Sequence, residues 1–200
     1  MPSVVEICSM ALGHLKVPPI ASVDERSEPA RACNLYYAQA RDEVLRAYPW
    51  PFATRFADLA LVQEAPTVEW GYSYRYPTDC AHFRRILSGA GRNETRAMRV
   101  PFRLARDADG RLIFTDQPTA VAEYTAQVED PNEYDADFVG AVALRFAVYV
   151  APRVTQGDQL RLGDRAQRLY LEAIGEARST AANEEQPDAP PDGELLASRE

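Results

Sequence analysis

The chain has 200 residues, of which 30 are Asp or Glu and 22 are Lys or Arg, so its formal net charge is −8 and its pI is near 4.9. This acidic balance argues against a protein that coats nucleic acid through its overall charge. Arg145 interrupts the longest apolar run, well short of the roughly 18–20 residues that span a bilayer. The N-terminus also lacks the basic region of a signal peptide. We therefore expect a soluble intracellular protein without membrane contact.

Helical periodicity marks two segments at the start of the chain. Ser3 and Glu6 have the spacing of a capping box, and apolar residues recur at helical spacing from there to Leu15. A second start signal at Ser27 opens a long amphipathic helix that closes near Tyr48. Each segment has one apolar face, which predicts that both helices bury that face in a core.

The apolar period changes to two from about Thr67. Trp70 and three tyrosines alternate there with smaller or polar residues between two prolines, which is a strand signature. Asp109-Gly110 lies between two further candidate strands and is a strong hairpin turn signal. We predict a small antiparallel sheet, with further strands at about 82–88, 97–105, 111–115 and 120–128.

Helical spacing returns after the predicted sheet. An apolar helix from about Asp135 is expected at the centre of a bundle, with Pro152 limiting it. A last helix is predicted over 156–182, with Leu160 among its apolar positions. Residues 183–200 hold six acids, one arginine and three prolines, which predicts a disordered acidic tail.

These elements predict an α+β fold, an antiparallel bundle of about four helices with a small antiparallel β-sheet domain inserted. The sequence assigns 1–65 and 131–182 to the helical bundle. It assigns 66–130 to the inserted β domain and 183–200 to the acidic flexible tail. We find no internal repeat in the sequence.

The candidates for catalysis are weak. His14 and His82 are the only histidines, and no Cys or acid stands at a metal-ligand spacing from either. Cys8, Cys33 and Cys80 form no C-x-x-C pair and cannot complete a disulfide framework. A hydrolase built on unpaired carboxylates has no motif in its support. We expect no enzyme activity, no catalytic or metal site and no cofactor.

Two unusual stretches are candidates for interaction surfaces. In the segment 48–52, Trp50 and Phe52 project from a chain stiffened by two prolines. This arrangement suits either packing of the two rings in the core or a contact with another subunit. Between Arg84 and Arg111 there are eight arginines against three acids. That stretch could follow a phosphate backbone, meet acidic faces of a protein partner in bidentate pairs, or form an ordinary solvated sheet face. The candidate contact residues are Trp50, Phe52, Arg84, Arg85, Arg96, Arg99 and Arg103.

Several separated stretches follow one known pattern in order. The first contains Tyr-Pro-Trp-Pro-Phe-Ala at 48–53, and the second reads Tyr-Arg-Tyr-Pro-Thr-Asp-Cys at 74–80. The others lie at 7–15, 55–60, 113–116, 123–124, 130–138 and 141–144. Together they resemble the tail tubular protein A family, the head-to-tail adaptors of short-tailed bacteriophages. The resemblance covers roughly residues 3–180, and Pro51 stands where that family usually has Asn.

The resemblance implies a structural protein of the virion, made in the host cytoplasm and located at the head-tail junction. Such adaptors form a ring, usually of about twelve copies, which needs closing head-to-tail interfaces. The implied partners are other copies, the portal protein and the tail nozzle protein, around a channel that viral DNA passes without specific binding. The tail residues that could order on binding the portal are Glu184, Glu185, Asp188, Asp192, Leu195 and Leu196. The alternative is a DNA-binding module that uses the arginines of 84–111.

Overall fold

Four α-helices frame the chain, of which the computed structural model describes residues 2–89, 96–158 and 160–184. They are α1 (Val4–His14), α2 (Glu28–Ala47), α3 (Ala136–Val154) and α4 (Leu162–Glu184). The expected capping box opens α1, since Ser3 Oγ accepts the Glu6 N–H at 3.2 Å while the Glu6 carboxylate accepts the Ser3 N–H at 2.7 Å. The Ser27 hydroxyl caps α2 by accepting the Ala30 N–H. None of these helices is both long and apolar enough to cross a membrane.

The central position of α3 is confirmed. It packs against α1, α2 and α4, and ten of its nineteen residues are buried, including Phe138, Val142 and Phe146. One apolar core joins these side chains to Leu12 of α1 and Val44 of α2. A helix buried on most sides must be apolar most of the way round, which is the pattern of its sequence.

Two helix boundaries differ from the prediction. Pro152 lies inside α3 instead of limiting it, because it falls in the last turn and its missing N–H removes only one bond near the helix end. α4 begins at Leu162 instead of near residue 156, because Gly157 and three non-glycine residues before it adopt positive φ angles that a right-handed helix excludes. The three are Gln156, Asp158 and Arg161. Leu160 therefore lies outside the helix and is 73% exposed.

Seven strands in the described ranges form two antiparallel sheets. They are β1 (Thr54–Asp58), β2 (Leu61–Glu64), β3 (Tyr72–Arg75), β4 (Cys80–Ile86), β5 (Phe102–Asp107), β6 (Gly110–Thr115) and β7 (Val121–Ala126). The three-stranded sheet has the order β1-β7-β4 and the four-stranded sheet the order β2-β3-β6-β5. A second apolar core contains Phe83 and Tyr124 from the first sheet and Tyr74 and Ile113 from the other. The two sheets therefore pack face to face.

The predicted antiparallel β region and its hairpin are confirmed, because β5 and β6 pair through Asp107 opposite Gly110, which has a φ of 143°. The strands nevertheless form two sheets where we expected one. β1 and β2 precede residue 66, in the range assigned to the helical bundle. At the other end, α4 continues to Glu184, two residues into the range assigned to the tail. The rest of the predicted disordered tail, from 185 on, lies outside the described residues.

Candidate functional site

The aromatic segment after α2 lies in the bundle core. Trp50 is only 2% exposed, and its indole N–H donates to the Val44 carbonyl at 2.8 Å. Its ring meets those of Tyr48 and Phe138 edge-on, each with a centroid distance of 5.2 Å. The expectation that Trp50 contacts another subunit is therefore wrong, since a buried ring with its polar atom satisfied offers no surface. Phe52 is half-buried and packs on Phe138 at 5.0 Å.

A surface depression of about 350 Å³ lies beside this segment. Tyr48 and Trp50 line one part of it, and Asp135 and Asp137, at the N-terminus of α3, line another. Both carboxylates belong to exposed residues. Two anionic groups beside the half-buried Tyr48 ring form a surface that can accept a cationic side chain.

Arg84 joins the sheets to the bundle. Its Nε donates to Thr125 Oγ1 of β7 at 2.9 Å. Its Nη2 donates to the carbonyl oxygens of Leu45 at 3.2 Å, Arg46 at 3.2 Å and Tyr48 at 2.8 Å. A cation on the last carbonyls of a helix satisfies acceptors that the helix leaves open and interacts favourably with its dipole. Burial lowers the pKa of Arg84. Arg84 therefore bonds to groups of its own chain, which corrects the expectation that it contacts a neighbouring subunit or the nozzle.

Arg85 and Arg99 lie near Arg84, and all three line a cleft of about 350 Å³ with Phe102. Arg85 forms an ion pair with Glu123 of the neighbouring strand, with an Nε–Oε2 distance of 2.6 Å. Arg99 is exposed in the segment before β5. Of the predicted arginines, these three are the ones that the fold brings together.

The arginines of β5 and β6 spread over both faces of the four-stranded sheet. Arg103 and Arg106 stand three residues apart on β5 and therefore point to opposite faces. Arg103 is 3.9 Å from a carboxylate oxygen of Glu69, and Arg111 lies over the Tyr76 ring, with its guanidinium carbon 3.7 Å from the centroid. A continuous phosphate track would need the cations on one face.

Some predicted contact residues lie outside what the structure describes. Arg96 opens a short 3-10 turn (Arg96–Met98), but its side chain is not described. Glu184 is the last residue of α4. The other tail candidates, Glu185, Asp188, Asp192, Leu195 and Leu196, follow the last described residue.

Sequence reasoning missed a second joint between helix and sheet, at Arg41. This residue is 8% exposed, and its guanidinium contacts Asp42 at 2.8 Å and Glu129 at 3.3 Å. Gln127, just after β7, donates to Asp42 at 2.6 Å. The sequence position of Arg41 could have indicated this joint, because Arg41 follows Tyr37 by four residues and so lies on the apolar stripe of α2. A cation on such a stripe needs a partner across the core boundary.

The chemistry of the Cys80 and His82 side chains does not favour a nucleophile pair. Burial raises the pKa of the Cys80 thiol, whereas burial and the charge of Arg84 lower the pKa of His82. An activated thiolate needs the reverse, a thiol whose pKa is lowered and a base that takes its proton. Among the described residues, no group of three or more His, Cys, Asp or Glu side chains could hold a metal ion.

The models of known protein families give no match to this chain, and neither do the curated proteins. The geometry itself defines two helix–sheet joints, at Arg84 and Arg41, and two surfaces of opposite charge. These surfaces are the acidic depression at Asp135 and Asp137 and the cleft lined by Arg84, Arg85 and Arg99.

Proposed function

We propose that the chain is a structural protein of a bacteriophage virion, a head-to-tail adaptor without a catalytic role. Its copies form a ring between the portal and the tail nozzle, around the channel through which the genome leaves. The proposal begins from the order of the stretches that resemble the tail tubular protein A family. The α+β architecture, a helical bundle with inserted antiparallel strands, agrees with what that resemblance implies.

The observation that carries the proposal is that the resembling stretches contact one another. Trp50, from the first stretch, packs on Phe138, from a later one, at 5.2 Å. Asp79 accepts a hydrogen bond from the Tyr124 hydroxyl at 3.0 Å, which joins two more. Residues that recur together in a family pattern are expected to be those that fix its fold. Contacts between them support a shared fold more strongly than separate short motifs do.

The distribution of charge also supports a ring. A closed ring needs two different surfaces on each copy, which meet around the circle. The exposed Arg99 and Arg103 lie in the β region, and the acidic depression at Asp135 and Asp137 lies on the helical bundle. We propose that these arginines meet acidic faces of neighbouring copies or of the nozzle in charge-assisted pairs.

The direct test is mass photometry of the full chain, alone and mixed with the portal protein of the same phage. We expect a ring or a complex with the portal ring. Reversing the charge of Arg99 and Arg103 to Glu should reduce assembly, while Arg26→Glu, an exposed arginine before α2, should not. A monomer that also fails to bind the portal would overturn the proposal.

A DNA-binding module makes a different prediction for the same arginines. Its affinity for duplex DNA would fall steeply with salt, and removing phosphate-contacting arginines would reduce the salt slope. We expect no such binding, because Arg84 is bonded to helix carbonyls and the arginines of β5 point to opposite faces. Salt-dependent binding that Arg103→Ala weakens would favour the DNA-binding module.

A further inference from the structure

A groove lined by both apolar and polar side chains lies at the end of the bundle where α1 ends and α4 begins. Its volume is about 350 Å³, and Leu15, Val17, Val154 and Leu162 form much of its wall. Leu160 stands at this wall with 73% of its surface exposed. A large apolar side chain exposed beside the apolar part of a groove enlarges the surface that a partner could bury.

A side-chain cap lies beside this groove, at the start of α4. Asp158 accepts the N–H groups of Leu162 at 2.6 Å and Gly163 at 2.7 Å, so its carboxylate caps the start of α4. Lys16, the only lysine of the chain, lines the groove, and Arg161 is exposed between Leu160 and Leu162. The lining of the groove thus combines apolar side chains with one cation, Lys16.

We propose that this groove binds the C-terminal segment of a second copy of the chain, through Leu195 and Leu196. These two leucines are the only large apolar residues in 185–200, and acids precede them at Asp192 and Glu194. An apolar pair with acidic neighbours is complementary to a groove that combines apolar side chains with the cation Lys16.

The length of the chain favours a second copy over the same one. α4 carries the chain from the groove to Glu184, about 33 Å away at 1.5 Å per residue. The residues from 185 to 195 span at most about 36–40 Å when fully extended. A return to the groove of the same chain would need an almost fully extended segment along the whole helix, at a large entropic cost.

Exchange between copies also fits the geometry of assembly. The segment leaves one end of the bundle and the groove lies at the other, so the contact is heterologous and can repeat from copy to copy. The inference deepens the proposed function and rests on it, because the neighbouring copy that provides the segment would be the next subunit of the proposed ring. Binding of the segment to the groove can be measured without a portal or a ring.

The first experiment titrates a fluorescein-labelled peptide of residues 185–200 into the full chain carrying Leu195→Asp and Leu196→Asp, whose own segment is disabled. We expect saturable binding, followed by fluorescence anisotropy. A control peptide with both leucines changed to Ser should bind at least about tenfold more weakly. Leu160→Asp in the protein should weaken the wild-type peptide similarly, and Lys16→Glu should weaken it at low salt. Circular dichroism verifies that both protein variants fold.

The second experiment mixes two defective chains in sedimentation velocity. Leu160→Asp damages the groove, and the Leu195→Asp, Leu196→Asp variant damages the segment. We expect each to associate less than the wild type alone, and their mixture to form heterodimers because one intact segment meets one intact groove. No peptide binding, binding that Leu160→Asp leaves unchanged, or a mixture that stays monomeric would overturn the inference. A portal complex formed by the Leu160→Asp variant would leave the proposed function intact.

Discussion

At the scale of single residues, Tyr124 shows how the sheet core depends on a polar contact. The side chain is 5% exposed, and its hydroxyl donates to the Asp79 carboxylate at 3.0 Å. Burial and this hydrogen bond raise the pKa of Tyr124 to about 12, because both favour the neutral phenol. The contact ties β7 to the turn before β4.

This raised pKa predicts a loss of stability at alkaline pH. An unfolded tyrosine ionises near pH ~10, so the stability that Tyr124 contributes is complete below pH ~10 and is lost as pH rises to about 12. We expect Tyr124→Phe to lower the free energy of unfolding by about 1 kcal/mol at pH ~8 and to reduce its decline above pH ~10. Urea unfolding at several pH values measures both. Equal declines in the two proteins would contradict the assignment.

At the scale of elements, local signals predicted the helices well and the first strands poorly. Ser3 and Ser27 sit at helix starts because their caps act within four residues. β1 and β2 lack such a signal, since β2 is exposed at every position and β1 has no buried residue. Their pairing with distant strands, not an apolar alternation, makes them strands.

The candidate site was predictable only where its partners are near in sequence. Of the two roles that the sequence left open for Trp50, the structure selects the core, where its indole partner, Val44, is only six residues away. Arg84 was not recognisable as a joint, since its carbonyl partners lie 36 to 39 residues earlier. Leu160 was wrongly placed on a helix because, apart from Gly157, the residues of this loop with positive φ angles are ones that rarely adopt them.

The start of α4 gives a prediction with an internal control. A Cβ at Gly163 would lie 2.8 Å from Asp158 Oδ2 and 3.0 Å from Ala151 Cβ, whereas a Cβ at Gly175 would meet nothing within 4 Å. We expect Gly163→Ala to destabilise the chain by about 1–3 kcal/mol, because the side chain displaces the helix cap. Gly175→Ala should stabilise it by up to about 1 kcal/mol. Thermal unfolding compares the two, and equal effects would contradict this account of the cap.

At the scale of the whole molecule, two apolar cores meet through polar joints. The bundle core and the core between the sheets are separate clusters, and few contacts join α2 to β4. Arg84 and Arg41 provide ion pairs and hydrogen bonds across that boundary. A directional joint fixes the orientation of the two parts more strictly than apolar contact alone, because hydrogen bonds require specific geometry.

Removing the Arg84 joint should therefore change cooperativity as well as stability. Arg84→Met keeps the side-chain bulk but leaves three helix carbonyls and the Thr125 hydroxyl without the bonds they now receive. We expect the free energy of unfolding to fall by about 2–3 kcal/mol, while Arg103→Met, on an exposed side chain, changes it by less than about 0.5 kcal/mol.

A fluorescence experiment tests the loss of cooperativity. The Trp70→Phe substitution leaves Trp50 as the only tryptophan of the chain, so that tryptophan fluorescence reports the unfolding of the bundle core. In that background, bundle unfolding by fluorescence and total unfolding by circular dichroism should coincide with Arg84 present and separate in Arg84→Met. Coincident transitions in both proteins would mean that Arg84 does not couple the two cores.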